Sequence, residues 1–310
     1  HSEFNLFELE EQIKIAITDE VEFLTLLGDV KDYILVKKTF LEEKVDIVFH
    51  AAAYKHVPIV ELNPISCISN NVRTSEIICN AAYQCNIKKV ILISSDKAVR
   101  PKSIMGATKR LSELIFQAYD EESKKNKKKT IFAMVRFGNV LNSSGSVIPK
   151  FKKQIRQGGP ITITDKRMIR YFMTIKEASE LVIQSSSIAK GGEVFLLDMG
   201  KPVKIIDLAR QMIRLSGFVE KVESNKNGDI EIIETGLRDG EKLYEELLID
   251  AESKPTDHEL IFCASEKKIS FHELNISLKE LFSCLDKYNT KRSLEILHTL
   301  VPEWSINKDI

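Results

Sequence analysis

Long apolar runs and an excess of charge of one sign are both missing from this sequence. No stretch approaches the roughly 20 apolar residues of a membrane helix. The first residues, HSEFNLFELEEQIK, have neither the basic region nor the apolar core of a secretory signal. We therefore expect a cytoplasmic protein. Lys+Arg and Asp+Glu both number 45, so no net charge draws the chain toward nucleic acid, and we expect no such partner.

Cysteine and histidine are also scarce. The five cysteines form no C-x-x-C pair, and the six histidines show neither H-x-H nor H-x-x-x-H spacing. We expect reduced core cysteines and no metal site. The chain has 310 residues, of which 43% are hydrophobic, and this suffices for one large domain or two coupled ones.

Short runs rich in β-branched residues alternate with segments of helical periodicity. The apolar runs span residues 45–52, 89–95, 130–137 and 193–199, and the helical patterns span 70–86, 106–122 and 175–189. Short apolar runs are typical of buried parallel strands. The alternation predicts an α/β fold with a doubly wound parallel sheet. Beyond residue 199 helices and turns dominate, which indicates a smaller, mostly helical second domain.

Polar side chains follow the second apolar run, where the strand is expected to end. Ser94 and Ser95 precede Asp96 and Lys97, at the carboxyl edge where open α/β sheets bind ligands. An adjacent carboxyl and amine supply an acid and a base if their pKa values are tuned. A surface turn fits the same residues equally well. Adjacent side chains of an extended strand point to opposite faces, so Asp96 and Lys97 enter one pocket only if the chain turns there. Pro101 and the polar residues around it favour such a turn.

Five blocks carry a resemblance to a known family: HAAAYKHVPIVELNP, SSDKAVRPKSIMGATKR, VRFGNVLNSSGSVIPKF, RYFMTIKEA and GLRDGEKLYEEL. Together they resemble the capsule-type polysaccharide biosynthesis branch of the extended short-chain dehydrogenase/reductases, the UDP-N-acetylglucosamine 4,6-dehydratases. The resemblance covers residues 1–262. It implies a Rossmann-type sheet, a recycled NAD (with NADP left open), a UDP-N-acetylhexosamine substrate and a homo-oligomer. It assigns residues 1–138 and 172–200 to the dinucleotide, and 139–171 and 201–310 to the nucleotide sugar.

The family's first strand and glycine-rich phosphate loop stand ahead of a segment similar to HSEFNL, and these 310 residues contain neither. Two explanations are open, a truncated chain or a disordered stretch left out ahead of residue 1, and we favour the second. Many relatives also carry amino-terminal membrane helices, which leaves a membrane-anchored parent open.

The position of Met105 holds a proton-shuttling tyrosine in the wider superfamily, and Lys109 follows one helical turn later. A thioether carries no proton. The resemblance implies that Asp96 and Lys97 take over the acid and base roles beside Ser95. We expect burial to keep Lys97 neutral, so that it removes the C5 proton of a 4-keto sugar while a protonated Asp96 serves the departing C6 hydroxyl. Lys109 is implied as a ribose ligand, and a solvated helix residue is its alternative.

The resemblance assigns further residues to each ligand. The cofactor is expected to contact Asp29, Val30, Ala51, Ala52, Ala53, Lys55, Asn71, Ser94 and Lys109. The nucleotide sugar is expected to contact His56, Asn139, Val147, Arg170 and Arg238. Simpler alternatives stay open: a turn residue for Asp29, a helix N-cap for Asn71, and surface ion pairs for the arginines.

Two other functions compete with a dehydratase. A UDP-sugar 4-epimerase shares the fold, the cofactor and the nucleotide, but tyrosine at position 105 would have favoured it. A catalytically silent nucleotide-sugar-binding protein would explain both Met105 and the lack of a glycine-rich loop. The sequence Met-Gly-Ala-Thr-Lys resembles the subgroup of dehydratases that retains the configuration at C5.

Overall fold

The structure is a computed structural model that describes residues 1–18, 20–143, 145–246, 253–264 and 266–305. Its helices are α1 (Glu3–Ala16), α2 (Tyr33–Glu42), α3 (Val57–Leu62), α4 (Pro64–Ile68), α5 (Thr74–Cys85), α6 (Ile104–Lys125), α7 (Val147–Arg156), α8 (Ile175–Ile188), α9 (Ile205–Leu215), α10 (Phe271–Asp286) and α11 (Thr290–Leu300). Its strands are β1 (Ile47–His50), β2 (Lys89–Ile93), β3 (Ile131–Arg136), β4 (Asn139–Val140), β5 (Ile161–Ile163), β6 (Ile169–Arg170), β7 (Phe172–Met173), β8 (Val194–Leu197), β9 (Val203–Lys204), β10 (Glu220–Lys221), β11 (Ile230–Glu234), β12 (Ser253–Pro255) and β13 (Ile261–Ala264).

The central sheet has six strands in the order β1-β2-β3-β8-β13-β12. The first four run parallel and are the four apolar runs of the sequence. Strands β2, β3 and β8 are almost wholly buried, because helices cover both faces of the sheet. The predicted α/β parallel sheet is confirmed.

The last two strands of this sheet were not expected there. Strand β13 runs antiparallel to β8, and β12 runs antiparallel to β13. Helices α10 and α11 that follow pack against α6. The two-domain division remains a prediction, but of the residues 201–310 that it gives to the second unit, 253–255 and 261–264 are strands of the main sheet. Hydrogen bonding to β8 satisfies the backbone of β13 and fixes it there.

A smaller layer holds the second unit. Strands β10, β11 and β5 form a three-stranded parallel sheet, and α7 and α9 pack on it around a separate apolar cluster that includes Phe151, Ile161 and Ile213. Two short strand pairs, β4 with β7 and β6 with β9, are formed by the chain segments that connect this layer to the main sheet. Residues from both layers therefore meet at the carboxyl edge of the parallel strands.

The start of α6 is fixed against the turn that follows β2. The Ser103 hydroxyl caps the helix by accepting from the Gly106 N–H at 3.1 Å, and a Glu61 oxygen accepts from the Ile104 N–H at 2.7 Å. A Cβ at Gly106 would lie 2.3 Å from the Lys97 carbonyl oxygen. Only glycine permits this approach, which brings the helix that carries Met105 and Lys109 against Lys97.

The amino-terminal part of the described chain is more exposed than the rest. No residue of α1 is buried. Among the residues that the structure describes, no helix is long and apolar enough to cross a bilayer, and no cluster of His, Cys, Asp or Glu has the make-up of a metal site. All five cysteines are free thiols, with Cys67 and Cys79 buried.

Candidate active site

The chain turns sharply where β2 ends, and this turn brings Asp96 and Lys97 together. Residues Asp96–Ala98 form a 3₁₀ turn, with the Ser95 hydroxyl accepting from the Lys97 N–H at 3.2 Å. The Ser95 hydroxyl also donates to Asp96 Oδ1 at 2.8 Å, and Lys97 Nζ donates to the same oxygen at 2.9 Å. Asp96 is buried, and 29% of the Lys97 side chain is exposed. Lys97 lines a pocket with the buried Asp96 behind it, so these residues are not a solvated surface turn.

The charge of Lys97 differs from the expectation. Burial alone lowers the pKa of Lys97, but the carboxylates of Asp96 and Glu245 together outweigh it and raise the pKa above its usual value. Glu245 Oε1 lies 3.7 Å from Lys97 Nζ. The structure therefore favours the ammonium form of Lys97, between the carboxyl groups of Asp96 and Glu245, over the expected neutral amine.

A cleft of about 360 Å³ opens beside this pair along the carboxyl ends of β1, β2 and β3, and we name it the edge cleft. Its lining includes Ala51, Ala53, Ser94, Ser95, Met105 and Lys109. Ala51 and Ala52 are exposed, and their small side chains leave the backbone open to a flat ligand. Met105 is buried at the position where the wider superfamily has its tyrosine. Because its side chain is a thioether, it offers no proton there.

Lys109 lies in the floor of the edge cleft and is only 7% exposed. Its Nζ donates to the Ile93 carbonyl oxygen at 2.6 Å. Burial lowers the pKa of Lys109 to about 8, although the Glu113 carboxylate opposes this shift. The geometry removes the solvated alternative for Lys109 and leaves the ribose role as a prediction.

Asn71 lies inside a helical segment and does not cap one. It falls in a π-helical turn, Ser69–Arg73, a distortion found often at functional sites. Its Oδ1 accepts from the Tyr54 N–H at 2.7 Å, while its Nδ2 donates to the Tyr54 carbonyl at 3.1 Å and to the Thr108 hydroxyl at 3.0 Å. Asn71 therefore ties the loop after β1 to α6 and fixes the wall of the edge cleft that carries Lys55 and His56.

A second space of about 180 Å³ lies on the other side of Lys97, and we name it the central cavity. Lys97 and Asn139 line both this cavity and the edge cleft. Arg170 lines it as well, but its guanidinium donates to the carbonyls of Ile169 and Lys242 at 2.8 and 2.6 Å. Arg170 thus braces the segment that carries Glu245, and its predicted contact with a diphosphate remains a prediction.

A third space of about 210 Å³, the outer cavity, opens toward the second unit. Val147 and Arg238 line it, and Asn139 lines all three spaces. Arg238 is exposed, so its guanidinium is accessible to an anion. His56 lies against the backbone at Gly145, where a Cβ would come within 2.4 Å of its ring. The predicted substrate residues therefore line three spaces that share Asn139.

Four predicted cofactor residues are not part of the lining of the edge cleft, namely Asp29, Val30, Ala52 and Asn71. Asp29 Oδ1 accepts from the Lys31 N–H at 2.9 Å, which is the hydrogen bond of a simple turn. Val30 packs on the apolar core near α2. Their contact with an adenine ring stays a prediction.

Two carboxylates were missed by sequence reasoning. Glu245 contacts Lys97 from the block GLRDGEKLYEEL, where only the arginine had drawn attention. Glu113 is fully buried one turn after Lys109, and it accepts from the Ser94 hydroxyl at 2.6 Å and from Arg136 Nη2 at 2.6 Å. The helical pattern of α6 already places Glu113 on the face of Lys109, and this is the signal that identifies it.

Comparison with known proteins identifies the family. A family model described as polysaccharide biosynthesis protein matches residues 1–266. The chain belongs to the polysaccharide biosynthesis protein family. The resemblance carried by the five sequence blocks is thereby confirmed.

Three similar proteins serve as points of reference. Capsular polysaccharide biosynthesis protein CapD of Staphylococcus aureus is 43% identical over 93% of this chain and 46% of CapD. UDP-N-acetylglucosamine 4,6-dehydratase (inverting) of Campylobacter jejuni is 36% identical over 74% of this chain and 64% of that protein. The X-ray structure of Pen from Bacillus thuringiensis is 34% identical, with a TM-score of 0.74 and coverage of 90% and 87% of the two chains.

The chain spans less than half the length of CapD. UDP-glucose 4-epimerases of Rickettsia species are also similar, at 34% identity. Structures below 25% identity, including a dTDP-glucose 4,6-dehydratase and a UDP-glucose 4-epimerase solved with NAD, share the fold.

Proposed function

We propose that this protein is an NAD-dependent dehydratase that removes water from a UDP-N-acetylhexosamine, with UDP-N-acetylglucosamine as the first candidate. The observation that carries the proposal is the Asp96–Lys97 pair, which stands between the edge cleft and the central cavity while Met105 occupies the tyrosine position. Elimination needs an acid and a base at neighbouring carbons. The carboxyl group of Asp96 and the amine of Lys97, joined by a hydrogen bond, provide both.

The edge cleft fits the nicotinamide end of the cofactor. It lies at the carboxyl ends of parallel strands, has small alanines along one wall and a buried amine in its floor. Ala51, Ser94 and Lys109 would hold NAD there, and the cofactor would supply the hydride chemistry, from C4 of the sugar to C6. The outer cavity, with Arg238 at its rim, suits the nucleotide diphosphate.

The protein's part in the reaction is proton transfer. It takes one proton from the C4 hydroxyl and one from C5, and it returns one to the departing C6 hydroxyl and one to C5, so enzyme and cofactor end unchanged. The Ser95 hydroxyl, hydrogen-bonded to Asp96, is placed to relay the C4 hydroxyl proton to the Asp96 carboxylate. Lys97 Nζ lies 2.9 Å from Asp96 Oδ1, and the raised pKa of Lys97 favours a starting state with the proton on Lys97. Once Asp96 has accepted the C4 proton it no longer holds this charge, and Lys97 releases its proton to solvent. The neutral Lys97 then accepts the C5 proton while Asp96 gives its proton to the departing C6 hydroxyl. Lys97 returns its proton to C5, and a proton from solvent restores the Lys97 ammonium.

Product analysis tests the proposal. Full-length protein with NAD and UDP-N-acetylglucosamine deuterated at C4 is expected to give a 4-keto-6-deoxy product with deuterium at C6, read by NMR. A C4 epimer without deuterium at C6 would establish the epimerase instead. Tight binding without turnover would establish the silent binding protein.

A pH dependence of cofactor binding follows from Lys109. Because its pKa is about 8 in the folded protein, the ammonium is present at pH 7 and is lost as the pH rises to 9. Charged hydrogen bonds are stronger than neutral ones, so the Kd for NAD should rise about fivefold over this interval. Lys109→Met should bind NAD more weakly and without this dependence, as followed by fluorescence titration. An unchanged pH profile in the variant would contradict the assignment of Lys109 to the cofactor.

A further inference from the structure

The side chain of Glu245 is buried beside Lys97, yet one of its oxygens has no hydrogen-bond partner among the residues that the structure describes. Its side chain is 4% exposed, and Oε1 lies 3.7 Å from both Lys97 Nζ and Arg170 Nη2. Oε2 is buried and accepts no hydrogen bond from the part of the chain that the structure describes. A buried acceptor of this kind costs free energy, and a donor that arrives with a ligand would remove that cost.

The backbone around Glu245 is held in place from several sides. The Arg170 guanidinium donates to the Lys242 and Leu243 carbonyls at 2.6 and 3.0 Å, and the Ile169 N–H donates to Leu243 at 3.2 Å. Lys242 Nζ donates to the Val99 carbonyl at 2.6 Å, just after the catalytic turn. The carboxylate is therefore positioned by fixed backbone and is not a mobile surface group.

The surroundings of Glu245 also define what it can bind. It lines the central cavity together with Lys97 and Asn139, between the edge cleft and the outer cavity. An ionised carboxylate only accepts hydrogen bonds and repels a phosphate. In a UDP-sugar the neutral donors are the hydroxyls of the hexose and the ribose, the amide N–H of an N-acetylhexosamine and the uracil N3–H. Glu245 lies 3.7 Å from Lys97, which the proposed function places at the hexose, so the hexose donors are the ones within its reach.

We propose that Glu245 is a sugar-contacting residue, whose Oε2 accepts a hydrogen bond from a hydroxyl or amide N–H of the hexose ring. This inference rests on the proposed function and adds the residue that selects the sugar. Through Oε1 the same carboxylate fixes the Lys97 ammonium at the edge of the cavity. Glu245 thus couples the recognition of the hexose to the position of the catalytic pair.

Binding to the full chain with NAD present tests this inference. In Glu245→Gln the Kd for UDP-N-acetylglucosamine, measured by calorimetry, is expected to rise about tenfold, as for loss of one charge-assisted hydrogen bond. The Kd for UDP should change less than twofold. Equal loss for UDP-glucose would identify a hydroxyl as the donor, and an unaffected UDP-glucose would identify the amide N–H.

The matched control is Glu246→Gln, the next residue, which is about half-exposed and pairs with Arg100. It should leave both Kd values unchanged. Equal weakening of UDP and UDP-sugar in Glu245→Gln, or no change in either, would overturn the inference. Failure of the proposed function has a separate signature, since the wild-type chain would then bind the nucleotide sugar and form no 4-keto-6-deoxy product.

Discussion

Lys97→Arg is expected to lower kcat by about 10²- to 10⁴-fold, the range for loss of a positioned acid or base. Guanidinium keeps the positive charge beside Asp96 and Glu245 but does not give up its proton at any working pH. A lysine that serves only as a fixed charge would tolerate this change, whereas one that exchanges a proton would not. Initial rates of formation of the 4-keto product, with KM measured in parallel, give the answer.

Lys88→Met is the matched control for this experiment. Lys88 Nζ lies 2.9 Å from Asp46 Oδ1, the same separation as between Lys97 and Asp96. Both side chains are well exposed. Asp46 comes just before β1 and Lys88 just before β2, so this pair lies at the opposite end of the strands. Its kcat should equal that of the wild type. A Lys97→Arg enzyme with more than about a tenth of wild-type kcat would remove Lys97 from the proton chemistry, since general acid–base catalysis contributes at least about 10²-fold.

The layout of the sheet was within reach of the sequence, because it depends on local patterns. Each of the four apolar runs became a parallel strand, and each helical pattern became a helix within a few residues of its predicted bounds. The turn at Asp96 was predicted from the polar residues and Pro101 that follow β2. These signals are short-range, so one sequence suffices to identify them.

The charge of Lys97 was out of reach of the same reasoning. Its pKa depends on whether burial or nearby carboxylates dominate, and one of those carboxylates, Glu245, comes from a segment far along the chain. Local sequence does not encode this contact. The same limit applies to β13, whose short apolar run gives no sign of pairing with β8.

The buried ion network behind the active site gives the largest expected effect on stability. Glu113 and Arg136 are fully buried and joined at 2.6 Å, and Glu266 also binds Arg136, with a 2.7 Å contact to Nη2. Glu113→Ala is expected to lower the free energy of unfolding by about 3–5 kcal/mol, because it leaves buried guanidinium charge with too little compensation. Urea unfolding followed by circular dichroism measures the loss.

The pH dependence of stability tests the same carboxylate independently. Despite burial, which acts in the opposite direction, the adjacent Arg136 and Arg110 lower the pKa of Glu113 to about 2. The ionised form of Glu113 is therefore favoured by folding, so the stabilisation that it contributes is complete above the ordinary pKa of 4.5 and disappears as the pH falls toward 2.

Asp286→Asn is the control for Glu113→Ala. Asp286 is the last residue of α10, its side chain is exposed and it pairs with Arg73, so this change should lower the free energy of unfolding by less than about 1 kcal/mol. If Glu113→Ala cost no more than this control, the network would not be holding α6 and β3 together.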